Sequence, residues 1–235
     1  MIILFKRLVR FVLGNVFFLR FHEYQVSRSL QKYGYEVLSI VDTVFNKNGI
    51  DYWLIFGTLL GAYRESGFIK HDDDIDIGVY TKDISVSLIH KLEQNGFIFI
   101  SVKETNDHRH RMMSFQYHGI TVDFYGFVKD SNNIIGFSSV PLNGMTWKDS
   151  YNINRFGVCL VSYPDEGLQR IPMGKQFVPI PKNVVYVLKG LYGESFMTPQ
   201  KNNKGIFNSI ARIEPQDEVF ASIVSRDELA KLSND

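Results

Sequence analysis

The stretch Gly57 to Tyr80, GTLLGAYRESGFIKHDDDIDIGVY, decides how the chain is read. Its centre, Asp72-Asp73-Asp74-Ile75-Asp76-Ile77, sets four carboxylates within five positions. Ile75, Ile77 and Val79 alternate with period two, which predicts a half-buried strand over 74–80. On a strand, Asp74 and Asp76 project from one face. Carboxylates side by side repel and raise a pKa unless a cation lies between them. The simplest such cation is a hard divalent metal, Mg²⁺ or Mn²⁺, which prefers oxygen ligands and often completes its shell with substrate phosphate. Asp72 and Asp73 also suit a solvated acidic loop. Asp74 and Asp76 suit it poorly, because acidic residues are disfavoured inside strands. Local rules tend to fail at functional sites, and this pair is therefore read as metal-binding or catalytic.

Upstream, Leu30, Tyr33, Val37, Ile40, Val41, Val44 and Phe45 recur at helical spacing and predict a helix from about Val26 to Asn48, stopped by Gly49. Residues 51–56 read as a short buried strand. Gly57-Thr58 reads as a turn into a helix, with Thr58 as its N-cap. A helix starting right after a strand directs its free backbone N–H groups outward, where they suit a phosphate.

Downstream, helices are expected over 84–95 and 183–191, the second ended by Gly193. Strands are expected over 97–102, 111–117, 120–128 and 134–137, with His118-Gly119 as a tight hairpin turn. Residues 141–163 read as loop and short strands, 171–181 as extended chain, and 201–204 and 225–235 as loosely held. Asp123 stands inside the otherwise apolar Thr121-Val122-Asp123-Phe124-Tyr125, a costly place for a carboxylate that is neither paired nor metal-bound. If its strand lies beside 74–80, Asp123 completes a triad with Asp74 and Asp76. Such a triad can hold two metals for in-line phosphoryl displacement, and Asp123 can also take the nucleophile's proton. Arg64, in the motif helix, can reach a phosphate. The run His108-Arg109-His110-Arg111 is read as a solvated strand end, with a diphosphate contact as the alternative. Tyr125, Phe127 and Trp147 are read as core before ligand contacts.

A net charge of +1 gives no overall pull toward nucleic acid. The lone Cys159 and the lack of any Asn-x-Ser/Thr acceptor favour a cytoplasmic setting. Residues 1–24 read as a basic, amphipathic helix. Residues 1–20 either contact the inner face of a membrane through Phe, Leu, Lys and Arg or pack on the domain. A catalytic domain over 25–200 and a polar extension over 201–235, packed on it or trailing, complete the expected organisation.

Gly57-Thr58, Asp74-Ile75-Asp76-Ile77 and the later lone strand aspartate resemble the nucleotidyltransferase superfamily that includes DNA polymerase beta. GTLLGAYRESGFIKHDDDIDI closely resembles the LicD/fukutin family within it. Val178-Pro179-Ile180-Pro181, Leu191-Tyr192-Gly193-Glu194 and Thr198-Pro199 are similar to that family's C-terminal pattern. The resemblance runs from about Ile50 to Pro199. It implies an α/β (α+β) fold with a mixed sheet flanked by helices. It also implies transfer of a phosphorylated alcohol, such as phosphocholine or a polyol phosphate, from a CDP-linked donor to a cell-surface glycan of the capsule or lipopolysaccharide kind. Asp74, Asp76 and Asp123 are then the metal ligands and catalytic carboxylates, and Gly57, Thr58, Arg64 and Asp73 the substrate contacts. Lys70-His71 departs from the Pro-Trp that members often carry there. A nucleotidyltransferase acting on an NTP, an Asp-x-Asp glycosyltransferase and a non-catalytic scaffold remain open as alternatives.

Overall fold

The fold is seen in a computed structural model that describes residues 2–199 and 209–232, with side chains described from residue 24 onward. Helix α1 (Ile2–Lys47) is continuous, because no proline or turn signal interrupts it where the helix expected from Val26 begins. The side chains of residues 1–20, on which membrane contact was expected, lie outside the described residues. Among the described residues no helix is long and apolar enough to cross a membrane.

Strand β1 (Tyr52–Leu54) leads directly into α2 (Phe56–Glu65), and the acidic loop then opens β2 (Asp74–Tyr80). A single 3-10 turn precedes α3 (Val86–Glu93). Strands β3 (Ile98–Thr105), β4 (Arg111–Tyr117), β5 (Ile120–Asp130) and β6 (Asn133–Val140) follow. His118 and Gly119 both have positive φ, as a two-residue hairpin turn between β4 and β5 requires.

Helix α4 (Trp147–Ile153), held by a capping box between Thr146 and Asp149, interrupts the stretch read as loop and short strands. Next come β7 (Phe156–Pro164), the hairpin β8 (Leu168–Met173) and β9 (Gln176–Pro181), and α5 (Val184–Tyr192). After residues that lie outside the description, β10 (Ala211–Ile213), β11 (Phe220–Val224) and α6 (Arg226–Leu232) close the chain. The segment 225–232, expected to be loose, is thus helical, and Arg226 anchors it to Glu93.

The main sheet runs β1-β2-β5-β4-β3-β11-β7-β10, and β6 joins β5 to β7. Pairing therefore makes a closed circuit, β5-β4-β3-β11-β7-β6-β5. Strand β11 inserts between β3 and β7, so the polar C-terminal stretch contributes to the sheet itself. The result is a mixed α+β fold, with β2 and β5 the parallel pair.

One face of that pair is core. Ile75, Ile77, Val79, Val122 and Phe124 are fully buried. Helix α1 covers them with Val37, Val41 and Phe45, and Phe45 stacks on Phe124 at 5.6 Å. Farther along α1, Ser27 and Gln31 donate to the carbonyls of Lys70 and Ile69, fixing the chain as it enters the acidic run.

Candidate active site

The strand that carries Asp74 and Asp76 also sets their neighbours. Asp76 is registered with Asp123 across the parallel β2–β5 pair, and Asp74 with Thr121. Registered residues share a face, and alternation puts Asp74 on that face too. The three expected carboxylates thus project from the same side of the sheet, opposite the core. Ser114 on β4 is the cross-strand partner of Asp123 and extends the polar row.

Helix α2 borders this face, though its start differs from expectation. It begins at Phe56, and its N-cap, Ile55, makes no side-chain cap. Phe56 has φ +48°, a strained value for a bulky residue, and this turns the chain from strand to helix within one residue. Thr58 therefore lies inside the first turn. Its buried hydroxyl accepts the backbone N–H of Asp76 at 2.8 Å, which ties the helix to the strand beneath the carboxylates. At Gly57 a Cβ would stand 2.9 Å from Asp72 Oδ2, so glycine lets the acidic loop close on the helix start. Unlinked N–H groups at a helix start favour anions.

The carboxylates are held in a poorly solvated setting. Burial, then Asp72, Asp73 and Asp123, push Asp74 up to about 7. Burial and then Asp74 and Asp123 push Asp76 well above the usual carboxylate range, while the Tyr125 hydroxyl donates to its Oδ1 at 3.0 Å. Asp123 is raised by burial, and Ser114 and Lys103 partly offset this. Asp72 is raised to about 6 by burial and Asp73. Two buried oxygens, Asp123 Oδ1 and Asp72 Oδ2, have no hydrogen-bond partner. Orphaned carboxylate oxygens among mutually repelling acids fit a hard cation with oxygen ligands. At the mouth, one carboxylate oxygen from each of Asp72, Asp73 and Asp74 falls within 4.8 Å of the others, a group able to hold a metal.

A cavity of about 230 Å³ opens over Asp74 and Asp76, walled by Phe56, Gly57, Tyr125, Ser138, Leu191 and Tyr192. The Phe56 ring meets Tyr125 edge-on at 4.8 Å. Burial and the charges of Asp76, Asp72 and Asp74 raise the pKa of the Tyr192 hydroxyl. Arg64 is directed elsewhere. Its guanidinium binds Glu65 and the Phe196 carbonyl, linking α2 to the segment after α5. Asp73, Lys70 and His71 are exposed at the loop. The basic run contributes a buried ion pair, Arg111 with Glu104 at 2.9 Å, in place of a free phosphate clamp.

Sequence reasoning did not single out Lys103, named Tyr192 only within the resembling C-terminal pattern and without a role, and read Tyr125 as core. Lys103 follows directly on the largely apolar run Phe97–Val102, inside β3, which is the one signal the sequence offers for it. Tyr192 lies far along the chain, and only tertiary packing brings it over the carboxylates.

Comparison with known proteins shows relatives of this chain. Human (Homo sapiens) ribitol-5-phosphate transferase FKTN is 21% identical over 176 residues, covering 74% of this chain and 35% of that protein. Human ribitol 5-phosphate transferase FKRP is 26% identical over 153 residues, 62% of this chain and 26% of that protein. An uncharacterised protein of Rickettsia typhi is 40% identical over 60 residues, 26% of this chain and 19% of its own length. The chain therefore spans about a third of FKTN and a quarter of FKRP. The model for the "LicD/FKTN/FKRP, nucleotidyltransferase domain" family matches residues 49–183, more than half of the chain and the whole of β2 and β5. With the acidic strand, its parallel neighbour and the adjoining helix start all inside the matched region, the chain belongs to the LicD/FKTN/FKRP nucleotidyltransferase-domain family.

Proposed function

We propose that the chain is a metal-dependent transferase of phosphorylated alcohols, working from a CDP-linked donor onto a glycan hydroxyl. The observation that carries this reading is the side-by-side register of Asp76 and Asp123 on parallel strands, beside the start of α2. Family membership supports it. The similarity to the ribitol 5-phosphate transferases FKTN and FKRP makes ribitol 5-phosphate the first group to test.

In this reading the donor diphosphate lies against Gly57 and the first turn of α2, whose backbone N–H groups face it. Asp74, Asp76 and Asp123 would hold Mg²⁺ or Mn²⁺, which would supply charge neutralisation at the phosphate and a lowered pKa for the attacking hydroxyl. Tyr125 fixes the Asp76 carboxylate through its hydroxyl. Tyr192 roofs the cavity and limits water above the carboxylates. The acceptor oxygen bonds to the phosphorus that bears the alcohol, the bond from that phosphorus to the CMP oxygen breaks, and the hydroxyl proton passes to Asp123. The catalytic unit is taken as 25–200. The setting is taken as cytoplasmic, with residues 1–20 at the inner membrane face.

The test is incubation with CDP-ribitol or CDP-choline, Mn²⁺ and a glycan panel. CMP release that Asp74→Asn abolishes while the melting curve is kept is the expected result. Pyrophosphate release from CTP, with no CMP from either CDP-alcohol, would favour a nucleotidyltransferase and overturn the proposal.

A further inference from the structure

Two half-exposed aromatic rings stand beside the carboxylate face. Trp147 and Tyr151 lie one turn apart on α4, with ring centres 6.4 Å apart, and are 45% and 49% exposed. Beneath them is a buried cation. Lys103 donates to Ser139 Oγ at 3.0 Å, and its Nζ lies 5.4 Å from the Trp147 centroid, 5.3 Å from Tyr151 and 4.7 Å from Phe156. An ammonium under these rings holds them in place and leaves their outer sides open. Lys103 shares the face of β3 with Ser101, whose partner Ser114 is in turn the cross-strand partner of Asp123, so α4 borders the carboxylate face.

The direction of attack gives this patch a role. The cavity assigned to the donor is walled by Phe56, Gly57, Leu191 and Tyr192 of α2 and α5, with Tyr125 and Ser138 also lining it. In-line displacement brings the nucleophile from the side opposite the leaving group. Moving across the sheet from α2, the row passes Asp76, Asp123 and Ser114 and ends at Ser101, two residues from Lys103 on the same face of β3. That far side is where α4 stands. Exposed aromatics in a contiguous patch mark a binding surface, and rigid rings give contact area at low entropic cost.

We infer that Trp147 and Tyr151 form the platform for the acceptor, stacking the C–H face of a hexopyranose ring so that its hydroxyl reaches Asp123. The assignment of the acceptor side rests on the transferase reading above, but the binding it predicts needs neither donor nor metal.

Trp53 is 1% exposed, so Trp147 is the emitter that a ligand reaches. The experiment titrates the full chain with maltotetraose and with tetra-N-acetylchitotetraose while following tryptophan emission, and repeats the titration with phosphatidylglycerol vesicles. The expected result is a saturable change with at least one oligosaccharide. Trp147→Phe, which keeps a ring for packing, removes the change. Tyr151→Ala weakens binding by about tenfold. Emission unmoved by both oligosaccharides overturns the platform, whether or not the vesicles shift it. Unaltered affinity in Tyr151→Ala also overturns it. A chain that binds the sugars yet turns over no CDP-alcohol would sink the transferase reading and leave the platform standing.

Discussion

The two faces of the β2–β5 pair differ more than any two regions of the molecule, though the same seven registered positions build both. On the helix side, Ile75, Ile77, Val79, Val122 and Phe124 are sealed, and Phe124 meets Phe45 and Phe115 at 5.6 and 5.7 Å. On the other side, Asp123 pushes up the pKa of both Asp74 and Asp76, Asp74 adds to the rise at Asp76, and Asp123 Oδ1 has no partner. One face is stabilised by removing apolar area from water. The other holds repelling groups close together, which the rest of the fold must tolerate. Stability and chemistry are therefore separated by a single pleat, and substitutions one residue apart should have opposite consequences.

The widest separation is expected at Asp76. Asp76→Asn should lower turnover by roughly a hundredfold to a thousandfold. It should leave the metal-free melting temperature unchanged or raised, since an amide relieves the repulsion. Turnover against CDP-ribitol and a thermal melt on one preparation check both halves. Phe124→Ala should do the reverse, costing about 3–5 kcal/mol in urea unfolding as a cavity opens under α1. The protein that remains folded should keep its turnover per molecule. A Phe124→Ala enzyme that is stable but inactive would show that the faces are not independent.

Tyr125→Phe probes the seam between them, removing the hydroxyl on Asp76 while keeping the buried ring. A loss of about tenfold to a hundredfold in metal affinity or turnover is expected, with little change in stability. A smaller effect should follow pH. Burial and neighbouring acids raise Asp72 to about 6 and Asp74 to about 7 when folded, above the ordinary carboxylate range. The folded state then binds more protons than the unfolded one. This contribution is fully present below the unfolded value and is lost as pH rises through 6 to 7. The metal-free protein should lose stability from pH 5 to 8 in a buffer series, and Mn²⁺ should reverse the loss at the upper end. A flat profile would mean that the acids are not crowded as described.

The sequence made the apolar face legible because it obeys local rules. Period two marked β2, and His118-Gly119 marked the hairpin that brings β4 against β5. The carboxylates on β2 and β5 were legible for the opposite reason, since charges inside strands break those rules. Features set by tertiary contact were not. The start of α2 depends on a positive φ at Phe56, which no propensity suggests, so Thr58 looked like a cap when it is a tie to Asp76. Strands β10 and β11 are short, with weak alternation, and they exist because β7 and β3 offer open edges. Arg64 looked like a phosphate ligand because nothing nearby in sequence reveals its partner at Phe196.

The central claim is that acids from two adjacent strands hold the metal together. Crystals soaked with MnCl₂ and CDP, measured at the manganese absorption edge, test it most directly. The account predicts anomalous density bridging the carboxylates of Asp74 and Asp76, with Asp123 completing the set. Density held only by Asp72, Asp73 and Asp74 at the loop, with Asp123 bare, would contradict it.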